Sequence, residues 1–146
     1  MYLDKLHNQM LNDGYELFPA SQDDIVRLTQ QYGKLPKAYI EFMAIMGNGT
    51  NGSFFRGASC FTDEIFYLNE WGRELLSDND SAFSLKNDDF VFWMSQGCMF
   101  CYFNLKDGDN PAVYFYTEIN PHKVKRIART FSEFLILCYK YPYKFL

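Results

Sequence analysis

Residues 90–118 read FVFWMSQGCMFCYFNLKDGDNPAVYFYTE, and this stretch decides the fold. Three runs rich in aromatic residues, 90–94, 99–105 and 112–118, are separated by the polar segments 95–97 and 106–110. Aromatic and β-branched residues favour strands, and short segments rich in Gly, Asn, Asp and Ser favour tight turns between them. The stretch therefore predicts three antiparallel strands in a meander.

Helical patterns precede and follow this meander in the sequence. Ser21 with Asp24 three residues later resembles a capping box and predicts a helix that ends at Gly33. Pro36 suits the first turn of the next helix, which stops at the Gly/Asn segment 47–52. Residues 68–76 predict a short helix, and 130–133 form a full capping box that opens a last helix before Pro142.

Helices, then a meander, then a helix indicate an α+β fold in which the N-terminal and C-terminal helices pack against one side of the sheet. We also expect a short helix and a loop within 1–20, a strand at 54–61, an exposed polar loop at 77–89 and a basic loop at 120–124. The 146 residues fit a single domain that spans 1–146.

The composition excludes some classes of protein. Hydrophobic residues make up 48% of the chain and aromatic residues 19%, so the chain can bury enough surface to fold. A net charge of −4 argues against direct binding to nucleic acid. No 18-residue apolar stretch is present, and the first residues do not resemble a secretory signal. We therefore expect a cytoplasmic protein that does not bind a membrane.

The charge is divided between two regions. Residues 63–89 hold eight acidic side chains against Arg73 and Lys86, whereas 119–146 hold six basic side chains against Glu133. Two solvated faces would explain this pattern. The alternative is that the acidic region meets a cationic partner.

The sequence predicts neither a metal site nor a redox site. Cys98 and Cys101 form a C-x-x-C in a segment that reads as strand, and Cys60 and Cys138 are isolated. A zinc site needs a second pair of ligands, and a redox C-x-x-C usually opens a helix. We expect reduced core thiols, with no metal and no cofactor.

No catalytic motif is evident either. The two histidines, His7 and His122, have no nucleophile placed beside them by sequence spacing. The segment 107–109, Asp-Gly-Asp, lacks the later ligands of a calcium loop and predicts a hairpin turn. We therefore expect that the protein is not an enzyme.

Several of these signals together resemble the SUKH superfamily (the Smi–Knr domain) over about residues 20–140. They are Leu35-Pro36 with Tyr39 and Phe42, a Gly/Asn turn, Gly97, the segments 107–109 and 111–114, and 130–135. The family often has Asn-Gly-Gly where this chain has 47–49, Gly-Asn-Gly. The resemblance implies an α+β fold and a protein that acts by binding. Many bacterial members resemble immunity proteins that bind a toxin, often a nuclease, and others are regulatory interaction modules.

The acidic region is the candidate surface for a protein partner, which we expect to be a basic toxin domain. A regulatory scaffold without a toxin partner is the alternative function. Trp93 lies in an apolar run and reads as core, while Trp71 suits either the core or an interface. The candidate partner-binding residues are Asp63, Glu64, Glu70, Trp71, Glu74, Asp78, Asp80, Phe83, Asp88 and Asp89.

Overall fold

The computed structural model describes residues 1–146. Its helices are α1 (Asp4–Asn12), α2 (Gln22–Tyr32), α3 (Lys37–Met46), α4 (Leu68–Asp78) and α5 (Phe131–Lys140), with a short 3₁₀ helix, Ile65–Tyr67, before α4. The strands are β1 (Ala58–Ser59), β2 (Asp89–Ser95), β3 (Met99–Asn104), β4 (Val113–Thr117) and β5 (Lys125–Ala128). They form one sheet in the order β1-β2-β3-β4-β5, with every neighbouring pair antiparallel. The predicted meander and the α+β class are confirmed.

One face of the sheet packs against α3 and α5. Tyr39 of α3 lies fully buried at the centre of this layer, with its ring centroid 5.3 Å from that of Phe90, 5.4 Å from Phe103 and 5.6 Å from Phe131. A bulge shifts the register of β2 between Val91 and Trp93. Phe90 and Phe92 of β2 and Phe103 of β3 line this face of the sheet, around Tyr39.

The opposite face is covered as well. A β-carbon built on Gly72 of α4 would lie 3.1 Å from Val91 Cγ2, so this glycine lets the helix backbone approach the sheet closely. Phe83, beyond α4, places its ring 5.9 Å from that of Tyr102. The predicted packing of helices against one side of the sheet holds for α3 and α5, but it is wrong for α4, which covers the other side. The second face of the sheet is apolar too, since it carries Val91, Phe100 and Tyr102. Both faces must therefore be shielded from water by a layer of their own.

Side-chain caps start the helices where the sequence predicts. Ser21 Oγ accepts a hydrogen bond from Asp24 N at 3.1 Å, and Thr130 Oγ1 accepts one from Glu133 N at 3.1 Å. The start of α1 is held from a distance, because the buried carboxylate of Glu41 accepts hydrogen bonds from the backbone N–H groups of Tyr2 and Leu3. No sequence motif signals this last contact.

Two strand predictions are wrong. The segment 54–61 contributes only Ala58–Ser59, since Phe54 and Phe55 stack on one another and bury against α5 as irregular backbone. Conversely, β5 is a strand that the pattern does not predict. Its Lys125 and Arg126 are exposed at the edge of the sheet, where charged side chains disfavour pairing with a further strand. The same charges interrupt the apolar pattern by which a strand is recognised in the sequence.

The prediction of an exposed loop at 77–89 is also wrong in part. Ser77 and Asp78 belong to α4, and Asp89 opens β2 with only 7% of its surface exposed. The predicted loop at 120–124 is confirmed as irregular backbone.

Candidate functional site

An acidic groove lies between α4 and the β1–β2 edge of the sheet. It has a volume of about 410 Å³. Its lining contains three carboxylates and no basic side chain. The lining residues are Ser59, Glu64, Trp71, Glu74, Leu75, Asp78, Met94, Gln96 and Gly97. Four of the ten predicted site residues, Glu64, Trp71, Glu74 and Asp78, are thus brought together.

The carboxylates of α4 share one side of the helix because of their spacing. Glu70, Glu74 and Asp78 fall at i, i+4 and i+8, which places them above one another along the helix. Trp71 is half-buried, and its ring stacks on Tyr67 with centroids 5.5 Å apart and planes 18° apart. Tyr67 is 53% exposed, so the pair presents an aromatic surface beside the acids.

A buried amide fixes the position of α4. Asn69 Oδ1 accepts a hydrogen bond from Val91 N at 2.8 Å, and Asn69 Nδ2 donates to Val91 O at 3.4 Å. These bonds satisfy the backbone N–H and C=O groups of Val91 in β2, because β1 is too short to pair with this part of the strand. Hydrogen bonds to the sheet therefore fix the position of α4, and the acidic residues of the groove take no part in them.

The groove is not neutralised from within the chain. No basic group lies within 4 Å of a carboxylate of Glu64, Glu74 or Asp78. Arg73, the one base on α4, donates instead to the backbone carbonyls of Asn69 and Lys86, at 3.1 and 2.9 Å. The acidic field of the groove is therefore available to a partner.

The other predicted acids on this side are dispersed. Asp63 and Glu70 are exposed near the groove without lining it. Asp80 follows α4 with a positive φ of 48° and lines a separate shallow depression together with Phe83. Phe83 is half-buried against Tyr102, so its ring contributes to the covering of the sheet.

Asp88 and Asp89 stabilise the fold and lie outside the groove. Asn104 Nδ2 donates to both carboxylates at 2.9 Å, and Lys86 N donates to Asp89 at 2.8 Å. The Asn104 bond, with Lys106 at 3.6 Å, holds the pKa of Asp88 below its ordinary value. Asp89 is buried, so its placement in an exposed loop was wrong and we leave it out of the proposed surface.

Sequence reasoning missed the far wall of the groove. Ser59, Met94, Gln96 and Gly97 reach it only through the pairing of β1 with the end of β2. The turn at Gln96–Gly97 was recognisable, and both residues have positive φ, at 54° and 66°. Nothing in the sequence placed that turn opposite α4.

The four cysteines form no disulfide, and three of them are buried. Cys60, Cys101 and Cys138 are buried, and desolvation raises the pKa of each, that of Cys138 to about 12, so they are protonated at neutral pH. Cys98 lies in the turn before β3, so the prediction that both C-x-x-C residues lie on a strand is wrong for Cys98.

Other chemistry-bearing groups are scattered through the fold. His122 Nδ1 accepts a hydrogen bond from Ala82 N at 3.0 Å, and His7 lies on α1. No group of three or more His, Cys, Asp or Glu side chains is placed to hold a metal ion. None of the helices is both long and apolar enough to cross a membrane.

Comparison with known proteins agrees with this architecture. The model of the SMI1 / KNR4 family (SUKH-1) matches residues 19–137, which include every element from α2 to β5 and most of α5. No curated protein and no solved structure matches the chain. Because the match covers well over half of the sequence, the chain belongs to the SMI1 / KNR4 family (SUKH-1).

Proposed function

We propose that this protein is an immunity protein that neutralises a bacterial toxin by binding a basic surface of the toxin in the acidic groove. The observation that carries the proposal is the set of three carboxylates without an ion pair, Glu64, Glu74 and Asp78, around the half-buried Trp71. Glu64 accepts only a neutral hydrogen bond, from Ser59 Oγ at 3.0 Å. Membership of the family supports a role in protein binding.

The charge of the groove matches the surface of a nuclease. A nuclease must hold phosphate groups with Lys and Arg side chains. Carboxylates on a rigid helix can form ion pairs with those Lys and Arg side chains, and the nucleic acid can then no longer bind them. Complementary charge also raises the rate of association, which determines how soon a toxin is blocked.

The aromatic pair beside the acids would slow dissociation. Charges at the rim of an interface contribute mainly to association, whereas large aromatic side chains in desolvated pockets contribute most to residence time. Tyr67 and Trp71 already stack on each other, so little side-chain entropy remains to be lost when a partner covers them. Inhibition by occlusion requires no bond to be made or broken, and we assign no catalytic residue.

The test is surface binding kinetics against the cognate toxin domain at two salt concentrations. We expect Glu74→Lys with Asp78→Lys to lower the association rate by about tenfold or more at low salt, and less at high salt. Trp71→Ala should mainly raise the dissociation rate, with little dependence on salt.

The matched control is Glu16→Lys with Glu118→Lys. Both side chains are exposed and make no ion pair, and the change in net charge is the same. This control should bind within about twofold of the wild type at the higher salt concentration. If the groove variant binds as fast and as tightly as the control, the acidic groove is not the toxin-binding surface.

A further inference from the structure

A second groove lies at the opposite edge of the sheet from the acidic groove, between β5 and the end of α5. It has a volume of about 170 Å³. Ile127, Leu137, Tyr141 and Phe145 line it, and Leu137 and Tyr141 remain 40% and 55% exposed. A cavity of this order accepts a group of about the size of benzene. The groove therefore suits one inserted apolar side chain.

Basic side chains flank this groove. Lys144 lines it, with its Nζ 5.0 Å from the ring centroid of Tyr141. Lys125 lies on the same face of the sheet, with its Nζ 5.7 Å from the centroid of Phe115, whose ring packs on Phe145.

These two lysines form no ion pair within the chain. No carboxylate lies within 4 Å of Lys125 or Lys144. The one acid of the region, Glu133, lies in the first turn of α5, where its carboxylate accepts a hydrogen bond from Arg129 N. Unlike the acidic groove, this one thus combines apolar walls with an uncompensated positive field.

We propose that the groove between β5 and α5 binds an acidic segment of a partner protein that inserts one Leu- or Phe-sized side chain between Lys125 and Lys144. The apolar side chain would gain from burial against Leu137 and Tyr141. Acidic residues before and after this side chain would form ion pairs with the two lysines. These ion pairs would fix the orientation of the bound segment and make the groove prefer acidic segments.

The geometry of β5 argues that the segment does not extend the sheet. Val113 pairs with Ala128 and Tyr114 with Arg126, so Ile127 is an extra, bulged residue. Bulges and lysines on an edge strand oppose the addition of another strand. Binding through an inserted side chain is compatible with this edge, because it needs no regular backbone ladder.

The experiment titrates the ¹⁵N-labelled full chain with an N-acetylated peptide, Gly-Asp-Glu-Leu-Asp-Glu-Gly, and follows backbone amide shifts by NMR. We expect saturable shifts at Ile127, Leu137, Tyr141 and Lys144 that weaken as salt is raised. Replacing the central leucine of the peptide by serine should weaken binding about fivefold or more.

Protein variants test the charge. Lys144→Glu should weaken binding by about threefold or more, while the matched Lys34→Glu, at an exposed lysine without an ion pair, should stay within about twofold. Each of three results would overturn the proposal. The first is that no saturable shift occurs in the groove, and the second is that a peptide with Lys in place of its acids binds equally well. The third is that the groove shifts appear when the protein concentration alone is raised, which would identify the occupant as a second copy of the chain. None of these variants lies in the acidic groove, so failure here leaves the toxin proposal standing.

Discussion

Asn69 completes the part of the β2 edge that β1 is too short to cover. Its carboxamide presents a donor and an acceptor to the backbone of Val91, as a neighbouring strand would. The residue is 5% exposed, so water cannot replace these bonds if the side chain is lost. A single polar residue thus ties α4, and with it the wall of the acidic groove, to β2.

We expect Asn69→Leu to lower the free energy of unfolding by about 2–4 kcal/mol, because both Val91 groups would be buried without a partner. The measurement is urea denaturation followed by fluorescence. Asn87→Ala is the control, since Asn87 is exposed and should change stability by less than about 0.5 kcal/mol. A similar loss in both variants would show that Asn69 does not hold the helix.

At the scale of the element, the close spacing of the acids on α4 and the position of Asp78 both disfavour the helix, although Glu70 suits its first turn. Glu70, Glu74 and Asp78 repel one another at i,i+4 spacing, and Asp78 lies at the C-terminal end, where the helix dipole favours cations. No basic residue occupies the last turn of this helix. The position of Asp78 and its spacing from Glu74 therefore lower the stability of α4.

Asp78→Lys should consequently raise the free energy of unfolding by about 0.3–1 kcal/mol. The same change should weaken binding of a basic partner, since it reverses one charge in the groove. Thermal denaturation and binding kinetics on the same preparation test both halves. Asp23→Lys, in the first turn of α2, is the control and should lower stability slightly, because an acid there is favourable. A loss of stability in Asp78→Lys would contradict this account of α4.

At the scale of the whole molecule, a hydrogen bond joins the first helix to the last. Tyr139 of α5 donates its hydroxyl to Asp13 at the end of α1, over 2.5 Å. This bond, with a second from Gln9, holds the pKa of Asp13 below its ordinary value. The N-terminal helix lies outside the matched family region, so this contact is one of those that attach it to the rest of the fold.

A lowered pKa in the folded state stabilises the protein above the unfolded pKa, near 3.8, and this contribution disappears as the pH falls through the folded value. Tyr139→Phe should therefore lower the melting temperature at pH 7, and the difference from the wild type should shrink by pH 3. Tyr143→Phe is the control, because Tyr143 donates to the backbone carbonyl of Arg56, which does not titrate. A difference for Tyr139→Phe that stays constant between pH 7 and 3 would rule out the linkage.

Sequence patterns predicted the structure correctly where it depends on residues that are neighbours in the chain. The caps at Ser21 and Thr130 and the three central strands follow from residue spacing and turn chemistry, and all are confirmed. Trp93 is fully buried, as its apolar run predicted. By contrast, Phe54 and Phe55 carry a strand-like pattern but form no strand, because packing against α5 satisfies them without a ladder.

The amino-acid sequence by itself determined the fold class, the central meander, most helix boundaries and the excess of acid in the middle of the chain, since each depends on neighbours in sequence. Only the tertiary structure decided which acids act together. Glu74 and Asp78 face the groove because α4 packs against β2 through Gly72 and Asn69, and Glu64, just before the 3₁₀ helix, lies in the same groove. Asp88 and Asp89 instead turn inward to Asn104. All five have the same chemistry in the sequence. What separates them is the register of strands and the docking of a helix, and both are set by contacts between residues far apart in the chain.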